Sequence, residues 1–174
     1  VFVLGLMGST KATLVTDDFE YADDAALQAA WFSWGTLPTL STTQNHTSGG
    51  TQSVNATGVV GIGRIISTTN ITDAVVSTWL FRSGVVNNVR VAYKNAADNK
   101  KIEITEYHGT VYVKTYVGNT VISDLTCSGA TLIDGWNKLW IDIDSAGSTD
   151  IYWNDSYLAT MSNFEGFGAV YLQA

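Results

Sequence analysis

Three sets of side chains in this sequence are of types that could do chemistry, and their spacing decides which chemistry is open to them. The first is an acidic run, Asp17-Asp18-Phe19-Glu20-Tyr21-Ala22-Asp23-Asp24, with five carboxylates in eight positions. Hard oxygen donors at Asp17, Asp18, Glu20 and Asp23 suit Ca²⁺, which takes about six to eight of them. They suit helix capping and solvated charge equally, since no EF-hand spacing is present. The second set is aromatic: Trp140, Tyr152, Tyr112 and Tyr116, with Asp142 among them, fall at strand positions that face away from a core. Such rings stack on the C–H face of a pyranose while carboxylates and amides accept from its hydroxyls; they also serve as packing under loops or against another subunit. The third set is the remaining strand carboxylates, to be weighed for glycoside hydrolysis, which in its retaining form needs two of them about 5–5.5 Å apart. Glu103 and Glu106 are three apart and so point to opposite faces of a strand, whereas Asp142 and Asp144 share a face without a partner glutamate. No catalytic pair is expected. Asp142, Asp144 and Asp150 make a second cation possibility, with Asp144 facing Asp150 across a hairpin. His46 and His108 stand in turn-like contexts without a second ligand at metal spacing and read as solvated loop residues.

The elements that position these groups are strands. Leu139, Ile141 and Ile143 alternate with Lys138, Trp140, Asp142 and Asp144, one row for a core and one for water. A loop at 145–149 would set Ile143 opposite Ile151 and Ile141 opposite Trp153, leaving Trp140, Asp142 and Tyr152 outward. Asn154-Asp155 fits a type I′ turn that pairs Tyr152 with Tyr157 and Ile151 with Leu158. A turn at His108-Gly109 pairs Tyr107 with Thr110, Ile104 with Val113, Ile102 with Thr115, Glu103 with Lys114 and Thr105 with Tyr112. Gly118-Asn119 is a type II′ candidate that sets Tyr116 beside Val121 and Tyr112 beside Leu125. Further strands are expected over 13–19, 61–67, 74–82, 88–93 and 167–172, with loops and short strand pieces over 35–58, where Pro38 excludes a central strand. One short helix is expected near residues 22–30, capped by Asp23 or Asp24. Trp79, Trp136 and Trp153 are assigned to the core.

Composition narrows the partners. Charged residues make up 14% of the chain, against about 25% in an average domain. Net charge is −7, without the basic stripe that phosphate neutralisation needs, which argues against nucleic acid and anionic membrane. Cys127 is the lone cysteine, so no intrachain disulfide forms, and it reads as a small buried apolar side chain. The chain opens on Val1, as a processed product or fragment would. Residues 1–7 are apolar and too short to span a bilayer. They read as a strand or arm over residues 1–12 that packs on the domain at 13–174 or on a neighbouring subunit; the alternative is the end of a secretion signal with cleavage near 9–12. Sequons at Asn45, Asn55, Asn70 and Asn154 matter only if the source glycosylates.

About a dozen short strands spaced by turn signals make an all-β antiparallel sandwich. Three pieces carry a resemblance to a known superfamily: Asp17-Asp18-Phe19-Glu20 leading to Trp31, Gly135-Trp136-Asn137-Lys138-Leu139 at the start of a strand, and Ile151-Tyr152-Trp153-Asn154-Asp155 followed by a closing strand. Together these resemble the concanavalin A-like, laminin-G-like lectin/glucanase jelly rolls over roughly residues 13–172. That resemblance implies two curved sheets packed face to face and a function among lectins, glycosidases, adhesion modules and virion appendage domains. Expected here is a non-catalytic module exposed outside the cell or on a virion, acting in display and assembly with lectin-like adhesion. A carbohydrate-binding lectin is the alternative, and a glycosidase or lyase the third reading. The partners would be glycans, further copies of the chain in a homo-oligomer, or neighbouring surface proteins.

Overall fold

The computed structural model describes residues 2–6, 17–46, 49–55, 61–82 and 88–173, with the backbone alone for 2–6. In chain order the elements are β1 (Phe2–Leu6), α1 (Asp24–Ala30), β2 (Phe32–Trp34), β3 (Thr39–Ser41), β4 (Ser53–Asn55), β5 (Gly61–Ile65) and β6 (Ala74–Arg82). There follow β7 (Asn88–Lys94), β8 (Lys100–Tyr107), β9 (Thr110–Val117), β10 (Thr120–Cys127), β11 (Gly135–Ile143), β12 (Ser148–Trp153), β13 (Ser156–Ser162) and β14 (Ala169–Gln173). The strands form a smaller sheet in the order β1-β6-β11-β12-β13 and a larger one in the order β10-β9-β8-β7-β14-β5-β2, both antiparallel, with β3-β4 as a separate ribbon. The all-β sandwich with one short helix is therefore the architecture. Asp23 caps α1, its side chain accepting from the Ala26 N–H at 2.8 Å. The strand expected at 13–19 does not extend over its described part: Asp17 makes an isolated bridge, 18–20 are irregular, and 13–16 lie outside the described residues, as do Val1 and 7–12.

The sheets meet through their inner rows. Leu139, Ile141, Ile143, Ile151 and Trp153 of the smaller sheet form one cluster with Ile62, Val91, Ile102, Ile104, Val111, Val113, Val170 and Leu172 of the larger. Thr78 and Tyr93 share a hydrogen bond of 2.8 Å across the gap, joining β6 to β7. The indole N–H of Trp153 is satisfied inside the core by Asn137 Oδ1 at 3.2 Å, as a buried donor must be.

Local hairpin chemistry sets much of the register. The His108-Gly109 turn, with φ of 48° and 82°, gives every pair the sequence predicted, from Tyr107–Thr110 to Ile102–Thr115. Asn154 and Asp155 both adopt positive φ, as a type I′ turn demands, and Tyr152 pairs with Tyr157. Two bulges break the rest of the count. Ile122 is an extra residue in β10, so Leu125 faces Val113 and Thr126, not Leu125, faces Tyr112. Leu158 is an extra residue in β13, so Ile151 faces Ala159 instead. The β11–β12 turn is also tighter than expected, closed by Asp144 N to Ser148 O at 2.8 Å. Ile141 therefore faces Ile151, Leu139 faces Trp153, and Asp142 rather than Asp144 faces Asp150. That slip is of two residues, so every side chain keeps its face.

Trp79 and Trp136 are not in the core. Both project from the outer face of the smaller sheet and are half-buried there, because His46 stacks on Trp79 with centroids 3.6 Å apart and meets Trp136 edge-on at 5.2 Å. His46 is thus a cover for two indoles and not a solvated loop residue, and burial pushes its pKa down. His108 is exposed in its turn, and Cys127 is buried, which pushes its thiol pKa up.

Candidate functional site

Alternation along β7, β8, β9 and β14 turns one residue in two away from the core, and on the larger sheet those residues line a groove. Two adjoining depressions, of about 510 and 370 Å³, share Arg90, Lys101 and Glu103. Tyr112, Lys114 and Tyr116 of β9 wall the first; Lys94, Tyr171, Gln173 and Trp34 wall the second. Glu103 is only 6% exposed, although it lies on the outer face. Its carboxylate takes Lys101 Nζ at 2.8 Å and the Tyr116 hydroxyl at 3.3 Å, with Arg90 Nε at 3.7 Å. Burial, and next the charge of Glu103, hold the Tyr116 phenol above its ordinary pKa, so it stays a neutral donor. Lys101 lies over the Tyr116 ring at 3.9 Å and Lys94 over Tyr171 at 4.4 Å. Lys114 pairs with Asp124 at 2.9 Å, chiefly a hydrogen bond that raises its pKa.

At one end of the groove the sheet carries an aromatic shelf. Phe32 and Trp34 of β2 pair with Gly63 and Gly61 of β5. A Cβ on Gly61 would fall 2.0 Å from the Trp34 indole, and one on Gly63 would fall 2.5 Å from the Phe32 ring. Only glycine leaves room for rings lying this close against the sheet. Tyr171 completes the shelf, its centroid 5.6 Å from both rings. Phe32 and Trp34 remain 42% and 43% exposed. The sequence pattern did not single out Phe32, Trp34, Tyr171 or Arg90. A signal was present in Phe-Ser-Trp and Gly-Ile-Gly, bulk and its absence both at period 2, but their pairing is a tertiary fact.

The five residues expected to make one ligand platform lie on two different sheets. Tyr112 and Tyr116 wall the groove, while Trp140, Asp142 and Tyr152 project from the outer face of the smaller sheet, across the core. There Trp140 and Tyr152 stack on each other at 3.7 Å and 2°, Tyr157 meets Tyr152 edge-on, and the Trp140 N–H donates to Asp155 at 3.1 Å. One face of each stacked ring is therefore taken. Asp142 stands directly opposite Asp150, and Tyr152 beside them has a raised pKa, first from burial and then from these two charges.

The four acidic residues suggested for a cation are not gathered either. Asp17 is buried and accepts from the Phe19 N–H at 2.9 Å, the Tyr21 hydroxyl at 2.6 Å, the Trp31 N–H at 2.9 Å and the Arg64 guanidinium. Asp18 accepts from the Glu20 N–H, Glu20 from the Thr51 and Gln52 N–H groups, and Asp23 caps α1. Each oxygen set has donors of its own, and among the described residues no three His, Cys, Asp or Glu side chains are grouped as a cation would need. Nor is any described helix long and apolar enough to cross a membrane.

No protein-family model and no curated protein sequence matches the chain. Solved structures do match in fold. The cellulose-induced protein Cip1 superposes with a TM-score of 0.59 at 18% identity, over 92% of this chain and 89% of its own. The galectin LEC-6 of Caenorhabditis elegans gives 0.53 at 10% identity, over 64% of this chain and 81% of its own. The carbohydrate-binding module CBM66 of Bacillus subtilis gives 0.51 at 12% identity, over 83% of this chain and 87% of its own.

Proposed function

This chain has the concanavalin A-like jelly-roll fold, and from that fold we propose that it binds carbohydrate along the groove on the outer face of its larger sheet. The observation that carries the reading is the half-exposed Trp34 indole over Gly61 at the groove's end. A flat, preorganised ring of this kind stacks on a sugar with little loss of side-chain entropy. Arg90, Lys101, Gln173, Tyr112 and Tyr116 then supply polar contacts along the sugar's length. A carbohydrate-binding module with the same fold supports a glycan as ligand. Binding without turnover is favoured by the carboxylate count, since Glu103 is the one carboxylate among the groove's lining residues and glycoside hydrolysis uses two. Such a module acts outside the cell or on a virion surface.

A second reading, display and assembly between copies, is favoured by β10. This edge strand leaves Val121, Ile122 and Leu125 exposed, with Val117 beside them. One experiment separates the two. Glycan binding lost in Trp34→Ala and kept in Trp140→Ala supports the groove; the opposite pattern moves the site to the smaller sheet. Absence of any glycan binding, together with concentration-dependent association in sedimentation, supports assembly instead.

A further inference from the structure

Charge is unevenly divided in this chain. Arg90, Lys94, Lys101 and Lys114, four of the nine Lys and Arg, line the groove. Against them stand Glu103 on its floor and Asp98 and Asp124, which pair with Lys94 and Lys114. The groove with these partners thus carries +1, whereas the remaining five cations and thirteen carboxylates carry −8, together the net −7. The surplus lies at the centre, where Arg90 and Lys101 share a single carboxylate. Arg90 is held loosely there. Its Nε is 3.7 Å from Glu103, beyond hydrogen-bond reach, and is a buried donor without a partner among the described residues. The side chain as a whole is 43% exposed, so it is the outer N–H groups of the guanidinium, not the buried Nε, that face an incoming anion.

We infer that the ligand of the groove is an anionic polysaccharide, carboxylated or sulfated, whose charged groups are held by Arg90 and Lys101 while a ring stacks on Trp34. This rests on the carbohydrate reading above. One anionic group matches the one uncompensated positive charge, and the Trp34 shelf and Arg90 line the same depression. The rest of the chain, at −8, disfavours polyanions, so affinity for one reports the groove and not bulk charge. The Arg90 side chain is 43% exposed, so dissolved ions screen it and binding weakens as salt rises.

The test uses the full chain and pairs of polymers that share a backbone: polygalacturonate and its methyl ester, carboxymethylcellulose and hydroxyethylcellulose, dextran sulfate and dextran. The anionic member of at least one pair should bind about tenfold or more tightly than its neutral partner, and the carboxylated and sulfated arms say which anion is preferred. Arg90→Gln should abolish that preference while leaving the melting temperature unchanged, and Arg90→Lys should restore part of it. Equal binding within every pair would overturn the anionic ligand and leave the carbohydrate reading standing. Binding to none of the six would remove both. Tighter binding to poly(dT) than to any of the polysaccharides would also overturn it, since a basic groove with aromatic walls suits single strands too.

Discussion

The most discriminating perturbation of the groove is a single methyl group. Gly61→Ala places a Cβ 2.0 Å from the Trp34 indole, where carbon atoms ordinarily rest about 3.5–4.0 Å apart, so the ring must retreat by roughly 1.5–2 Å. Backbone strain does not intervene, because Gly61 has no positive φ. The displaced ring loosens its contacts with Phe32 and Tyr171, worth about 0.5–1.5 kcal/mol each at most. Alanine restores about 0.4–1 kcal/mol by restricting the unfolded chain. Stability should fall by no more than about 2.6 kcal/mol. Affinity should fall independently of stability, because displacing an aromatic anchor costs about 2 kcal/mol, roughly thirtyfold in Kd. Urea unfolding and titration calorimetry with the tightest-binding polysaccharide measure the two quantities separately. Unchanged affinity in a folded Gly61→Ala variant would refute the shelf as the binding surface. Loss of the fold would refute the claim that Trp34 rests on this sheet without supporting it.

Two further outcomes follow from groups outside the groove. Asp17→Ala removes the acceptor shared by Phe19, Tyr21, Trp31 and Arg64, and should cost about 3–5 kcal/mol in denaturant unfolding, the usual effect of stripping one partner from a buried charged cluster. In the same variant the Tyr21 phenol, pushed up to about 12 first by burial and then by Asp17, should titrate lower by ultraviolet absorbance. His46 has a folded pKa below its ordinary value because burial disfavours its charged form. The unfolded chain therefore binds the extra proton first, and stability should decline as pH falls below about 6.5. His46→Phe keeps a ring over Trp79 and should flatten the difference between pH 7.5 and 5.5; a wild type made more stable by acid would mean that the imidazolium gains from the indole face instead.

Much of the fold was legible because hairpins are local. Turn residues at His108-Gly109 and Asn154-Asp155 specify their own backbone angles, and period-2 alternation specifies which side chains share a face. Bulges at Ile122 and Leu158 escaped, since an extra residue alters pairing without altering composition. The candidate site was legible only in part. Tyr112 and Tyr116 were found as outward aromatics, as were Trp140 and Tyr152, but alternation is blind to which of two sheets a strand joins.

By itself the sequence determined an all-β sandwich, its inner rows of Leu139, Ile141 and Ile143 and of Ile102, Ile104 and Val113, and a helix capped by Asp23 or Asp24, each a matter of neighbours in the chain. Only the tertiary structure decided that Trp34 lies over Gly61, that Arg90 sits between Glu103 and the aromatic shelf, and that His46 covers Trp79. Those contacts join segments far apart in the chain. Their free energy comes from burial and charge across the assembled sheets, which no local pattern encodes.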